Sequence, residues 1–370
     1  MRPTLTSSLW ALILVAGCSS SSSNAGSGAS VVVPTGPNGN PAGKCPVPTA
    51  ALAEDITTPT TVIGDGTAAS CTGDKVVAAV AGGGVVTFDC GADPIVITVP
   101  EIKIINDGGK TKDGSVTIDG GGKITLSGNN ANRILYQNTC DESLHYTTPH
   151  CQNQDAPHLV VQNIGFAAGS AQATKDVLGG GAIYVGGGTF KAFNVRFTQN
   201  TQPNLEQDYS GGAIYTFNQA TQPVYLVGST FDGNSGSSGG ALGSIATSWT
   251  ILNSVFSNNK TLGNGQNPAQ AGTPGGGLGG AIYNDGNDYT LTICGTAFTN
   301  NIAADLGSGS IFQVIDNLNG DLKIDQSTFN GNSNVGAVQN SSSPAHPSIY
   351  VEARDKTGNA GVSVTATTFQ

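Results

Sequence analysis

From residue 159 onward, apolar and polar positions recur in a fixed order. The tetrapeptide Phe-x-x-Asn occurs at Phe197 to Asn200, Phe231 to Asn234, Phe256 to Asn259, Phe298 to Asn301 and Phe329 to Asn332. Between these copies stand Gly180-Gly181-Ala182, Gly211-Gly212-Ala213, Gly239-Gly240-Ala241 and Gly279-Gly280-Ala281, with degraded copies at Gly309-Ser310-Ile311 and Gly336-Ala337-Val338. Seven residues before each Phe lies an apolar column (Leu159, Phe190, Val224, Trp249, Leu291, Leu322), and five before lies a second (Val161, Ala192, Leu226, Ile251, Ile293, Ile324). That spacing of two puts both columns on one face of a strand. Three before the Phe the residue is Asn163, Asn194, Gly228, Asn253, Gly295 or Gln326, a column rich in the residues that tolerate a left-handed corner. Phe166 opens the series without its Asn, and Val362, Val364 and Phe369 close it in the same register.

Short strands, fixed corners and one elastic loop per unit describe the coil of a solenoid. A single coil cannot cover its own apolar face, but stacked neighbours about 4.8 Å apart bury a continuous column and complete one another's backbone ladders. Propeller blades and leucine-rich repeats demand other spacings and compositions. Residues 62–138 read as the first coils, with strands at Val85 to Phe88, Ile95 to Ile97, Val116 to Ile118 and Ile124 to Leu126. Between them Asp74 can cap a short helix carrying Val76, Val77 and Val80 and stopped by Gly82 and Gly83, which would lid the first coil. No such pattern follows Phe369, so the last coil is expected to show a bare edge. The expected fold is all-β, a single-stranded right-handed parallel β-helix with a short N-terminal capping helix.

Gly-Gly-Ala-Ile with Phe-x-x-Asn resembles the repeat of the chlamydial polymorphic outer membrane proteins and related right-handed β-helices of the pectin-lyase-like class. The likeness covers roughly residues 159–340; two of its six Gly-Gly-Ala copies are degraded, and no autotransporter barrel segment occurs in the sequence. The class implies either a display scaffold or a polysaccharide lyase or glycoside hydrolase.

The N-terminus changes the setting. An apolar run from Leu9 to Ala16 is too short to span a bilayer and reads as the core of an export signal. Its end, Val15-Ala16-Gly17-Cys18, resembles the lipobox of bacterial lipoproteins, which implies cleavage before Cys18, acylation of that thiol and, with Ser19 following, an outer-membrane address. Residues 1–17 are thus expected to be the signal, 18–44 a lipid-anchored Ser/Gly/Pro-rich linker, and 45–370 the β-helix domain. Export also favours disulfides. Cys71 with Cys90 and Cys140 with Cys151 close short loops between strand-like segments, whereas Cys45 and Cys294 lie far apart in the repeat register.

Composition narrows the partners. The chain holds 53 Gly in 370 residues, only 15 Lys plus Arg against 25 Asp plus Glu, and a formal charge of −10. So acidic a chain lacks the basic footprint of a nucleic-acid binder. Lyases of the resembled class need carboxylates holding Ca²⁺ beside an Arg or Lys base, and hydrolases need converging acids. Asp285 with Asp288, and Asp316, Asp321 and Asp325, are the grouped acids; ordinary turn chemistry explains them equally, and Arg196 has no acid at the matching position of either adjacent coil, Gly165 and Thr230. Zinc at Cys140, His145, His150 and Cys151 fits the spacing poorly, while His158 and His346 read as surface residues. No cofactor is therefore expected, Ca²⁺ entering only with the lyase reading. Tyr184, Tyr215 and Tyr283 follow the Gly-Gly-Ala-Ile core; pointing outward they form a strip for sugars, pointing inward they are core, and alternation alone does not decide. The expected function is a non-enzymatic surface lipoprotein, held by outer-membrane lipid through Cys18. It would bind an extracellular glycan or surface protein through long insertions such as 201–210 and 260–278, with polysaccharide cleavage as the alternative.

Overall fold

Each coil of the chain runs through three walls, and successive coils lie side by side in the same direction. The computed structural model describes residues 38–106, 113–144, 151–171, 177–219, 221–304, 308–317, 319–335, 348–353 and 361–370. The expected signal, Cys18, most of the linker, His145, His150, the copy at Gly336, His346 and Arg354 lie outside them. Among the described residues, a leucine wall of 10 strands runs from Thr61–Gly64 to Gly361–Thr365, and a phenylalanine wall of nine from Ile95–Thr98 to Thr368–Phe369. A glycine wall of eight runs from Ile102–Lys103 to Ile349–Ala353. A short fourth sheet starts at Ser235–Gly236, just after the Asn corner. Every strand pairing within these sheets is parallel, so the molecule is a parallel β-helix.

The repeat columns are the walls of the coil interior. Phe166, Phe197, Phe231, Phe256, Phe298, Phe329 and Phe369 stand one above the next, with ring centroids 4.6 to 5.3 Å apart. All but Phe369 are fully buried. Each such ring contributes roughly 1.5–3 kcal/mol by burial, and near-parallel offset stacking adds about 0.5–1.5. The Asn residues form a second ladder inside the adjoining corner. Asn259 Nδ2 donates to Phe231 O at 3.0 Å and to Asn301 Oδ1 at 2.9 Å, and Asn259 Oδ1 accepts from the Asn234 backbone N–H and Nδ2. The same pattern links Asn200, Asn234, Asn259, Asn301 and Asn332. The corner before each Phe is left-handed as expected, with φ from 47° at Gln326 to 63° at Gly295.

The two glycines of each Gly-Gly-Ala serve different purposes. The first (Gly180, Gly211, Gly239, Gly279) has φ between 55° and 72°. The second has no room for a Cβ, which would lie 2.1 to 2.4 Å from the carbonyl oxygen of the next coil's Gly181-equivalent position. Gly240→Ala is therefore expected to destabilise by about 3 kcal/mol, the upper end for overpacking, because the obstructing atom is backbone. Gly228→Asn, at a corner with nothing within 4 Å of the Cβ site, should leave the denaturant midpoint unchanged. Equal midpoints for the two variants would refute the account.

At the first coil, the helix Gly73–Gly82 lays Val76, Ala79 and Val80 on the core. Asp74 is not its cap as expected: Thr72 occupies that position without a side-chain bond, and Asp74 sits in the first turn, where a carboxylate suits the helix dipole. At the other end Val362, Val364 and Phe369 are exposed.

Two expectations about the N-terminal segment are corrected by a strap along the flank. Residues 38–44, expected as the end of a free linker, are bonded to successive corners. Asn38 Nδ2 donates to Asn194 O, Gly39 N to Thr230 Oγ1, and Asn40 to Asn253 O and Gly295 O. Cys45 then exchanges two hydrogen bonds with the Asn253 side chain and forms a disulfide with Cys294, 249 residues away. The chain next returns over the outside of the leucine wall, burying Ala51 against Val227 and Leu252 and offering Leu52 O and Glu54 to the Lys191 ammonium. Cys45 and Cys294 are thus adjacent because the strap does not follow the order of the coils. Cys71–Cys90 and Cys140–Cys151 pair as expected.

Candidate functional site

The outer face of the glycine wall carries the aromatic column that alternation left open. Register places Lys103, Tyr136, Tyr184, Tyr215, Gly243, Tyr283, Phe312 and Tyr350 in one line. Their neighbours Leu135, Ile183, Ile214, Leu242, Ile282 and Ile311 fill the interior. The tyrosines therefore point outward, yet Tyr184, Tyr215 and Tyr283 are only 4%, 1% and 3% exposed. Insertions cover them: Leu144 and Val177 pack on Tyr136, Tyr184 and Tyr215, and Leu278 on Tyr283 and Phe312. The column breaks at Gly243, where a Cβ would meet Ser210 Oγ at 2.2 Å.

Beside the first three rings lies a cleft of about 530 Å³. Tyr136 and Tyr184 stack at 5.4 Å and Tyr184 and Tyr215 at 5.7 Å, so the rings spend their faces on each other along the rod. Phe217 extends the floor, Val177 and Leu178 form an apolar lip, and Asp141, Glu142 and Gln152 form a polar rim beside the Cys140–Cys151 bridge. Burial would raise the Asp141 carboxyl. Hydrogen bonds from the Ser143 hydroxyl and backbone N–H, with Lys103 and Tyr136, outweigh it and hold the group below the usual carboxylate range. Lys103 Nζ is 3.9 Å from Asp141 Oδ2. Burial pushes the Tyr136 hydroxyl up to about 12 against an opposing hydrogen bond from Asn138, and the Tyr215 hydroxyl well above its ordinary value. Both phenols are thus neutral. The Tyr215 hydroxyl is buried and has no hydrogen-bond partner.

Arg133 stands beside this floor, its guanidinium carbon 5.6 Å from the centroids of both Tyr136 and Tyr184. Burial works against its charge, and Glu101 Oε2 at 2.7 Å from NH1 favours it. The remaining donors go to Gly180 O and Gly179 O. Its role is to lock the tyrosine column to the glycine pair below.

The grouped acids are divided among local partners. Asp285 accepts from the Tyr283 hydroxyl at 2.7 Å, while Asp288 accepts from Asn317 Nδ2 at 3.1 Å. Asp321 pairs with Lys323, and Asp325 accepts from Gln326 and Thr365. The Asp316 amide donates to Gly286 O. Arg196 is half-buried with its Nε on Asn38 Oδ1; Asp232, two positions beyond Thr230 in the next coil, supplies the favourable charge that the matching position lacks. The sulfurs of Cys140 and Cys151 are in a disulfide, which leaves no thiolate for zinc. Among the described residues no three His, Cys, Asp or Glu side chains come together as a metal site. The insertions 201–210 and 260–278 meet each other: Ala269 N donates to Gln207 Oε1, and Asn267 Nδ2 to Asp208 and to the Tyr283 hydroxyl.

Sequence reading missed Tyr136, Asp141, Glu142 and Arg133. Tyr136 could have been found by carrying the Ala-Ile-Tyr alignment up to Ile134-Leu135-Tyr136, a copy without its glycine pair. No protein-family model, curated protein or solved structure matches the chain.

Proposed function

We propose that the protein is a non-enzymatic surface lipoprotein, anchored to the outer membrane through acylated Cys18, whose β-helix presents a glycan-binding cleft over Tyr136, Tyr184 and Tyr215. The observation that carries this reading is the cleft itself: an aromatic floor with a polar rim, fastened by a disulfide to a rigid wall. Its volume of about 530 Å³ suits a short run of sugar units. Of the acids that a lyase or hydrolase would have to bring together, Asp285, Asp288, Asp321 and Asp325 are instead engaged with local partners. The likeness to polymorphic outer membrane protein repeats points the same way, toward display.

The full-length protein in detergent, applied to a glycan array and incubated with polygalacturonate and alginate with and without Ca²⁺, tests the reading. Retention on defined glycans without turnover is the expected result. Turnover that Asp285→Asn or Asp316→Asn abolishes would establish the polysaccharide-cleaving alternative instead. For the anchor, Cys18→Ser should abolish acylation and release the protein from the membrane fraction.

A further inference from the structure

The last described coil holds three strands, Ile349–Ala353 of the glycine wall, Gly361–Thr365 of the leucine wall and Thr368–Phe369 of the phenylalanine wall. Each is the terminal strand of its sheet and pairs on one side only among the described residues. The Gly361 N–H points back to Gly320 O and the Thr365 carbonyl accepts from the Gln326 N–H. By alternation, the N–H and C=O of Val362 and Val364 point off the end of the stack. Thr368 and Gln370 likewise donate back to Ser327 O and Phe329 O, which turns the N–H and C=O of Phe369 outward. The interior columns are uncovered at the same place. Val362, Val364 and Phe369 are 59%, 41% and 50% exposed, whereas Leu322, Ile324 and Phe329, one coil below, are buried. Charged side chains, Pro or a covering element normally block such an edge. Gly361–Thr365 and Thr368–Phe369 contain neither a charged residue nor a Pro. The first coil, by contrast, is lidded by the helix Gly73–Gly82.

A coil is one turn of a ramp, and chain order fixes its heights: Ile349–Ala353 stands lowest, Gly361–Thr365 in the middle and Thr368–Phe369 highest. A second copy turned about a two-fold axis through Ser363 sets each highest strand against the partner's lowest, so all three edges close together. Gly361–Thr365 then pairs antiparallel with its own counterpart. Val362 and the partner's Val364 exchange both backbone bonds with their side chains inward, and Phe369 reaches the partner's Ile349 and Val351. We infer that the last coil is a docking surface for the last coil of a second copy, tail to tail. The contact continues the coil-to-coil interface already described, carrying the backbone ladder and the apolar columns across the axis. Because the helix covers the first coil, head-to-tail addition is blocked and the pair is closed.

The axis makes a positional test. Ser363 faces its own counterpart in a non-hydrogen-bonded pair, about 4.5 Å between Cα atoms, within the span a disulfide bridges. Thr292 lies two coils down the same outward column, roughly 24 Å from its counterpart. In the full-length protein in detergent, Ser363→Cys should give a reducible dimer under mild oxidation, at least tenfold more than Thr292→Cys. Sedimentation of the unmodified protein, corrected for bound detergent, should show a dimer. Val362→Lys should weaken association at least a hundredfold with the circular dichroism spectrum unchanged; should that variant misfold, the two cysteine variants still decide. Monomer at every concentration would overturn the proposal, as would equal crosslinking of the two cysteine variants or association untouched by a folded Val362→Lys. A series of larger species growing with concentration would replace the closed pair with head-to-tail stacking.

Discussion

Replacing Cys45 and Cys294 with serine is expected to lower the free energy of unfolding by up to about 5 kcal/mol, the loop-closure value for a bond spanning some 250 residues. The effect should be large because the crosslink restricts most of the unfolded chain at once. A local consequence should accompany it. The amides of Asn40 and Cys45, bonded to Asn253, should lose protection from hydrogen exchange before the coils themselves open. Denaturant unfolding and exchange on the oxidised protein and the double variant measure both. An unchanged midpoint would mean that the strap contributes nothing beyond what the coils already supply.

Asn259→Ala is the second large effect, with an expected cost of roughly 3–5 kcal/mol. The substitution removes two donor bonds, to Phe231 O and Asn301 Oδ1, and in a fully buried corner it leaves the Asn234 backbone N–H without its acceptor and Asn234 Nδ2 with only its bond to Phe197 O. The same change at Asn332 should cost much less. Asn332 is the last described rung of the ladder, and its side chain makes one donor bond, to Phe298 O, where that of Asn259 makes two. Comparing the two by chemical denaturation tests the ladder as a ladder: equal losses would show that each Asn acts alone.

Much of this architecture was legible because a solenoid writes its three-dimensional register into the spacing of the sequence. Aligning on Phe197, Phe231 and Phe256 recovers the inward columns of the leucine wall, the left-handed corner and the buried Asn without any structural input. The strap was not legible, since residues 38–54 repeat nothing and their partners lie 108 to 255 residues away. The Cys45–Cys294 bond was discounted for the same reason: the coil order says nothing about a segment that runs outside it. For the tyrosines, alternation correctly left two readings, because it reports which side of a strand a residue takes but not what an insertion lays over it. Tyr184 and Tyr215 face outward and are buried all the same, under Leu144 and Val177. The cleft rim escaped notice because Asp141 and Glu142 belong to such an insertion, outside the repeat.

The strap also decides how tension would travel through the molecule. A pull arriving along the chain from its N-terminal side meets Asn38 and Asn40 first and then passes through the Cys45–Cys294 crosslink into the coil that carries Phe298. The first coils, the capping helix and the tyrosine cleft all lie within residues 46–293, off the direct covalent path between that pull and the C-terminal coils. Held this way, the coils cannot be peeled one by one starting from the first, and the cleft stays off the load path of a pull on the N-terminal side.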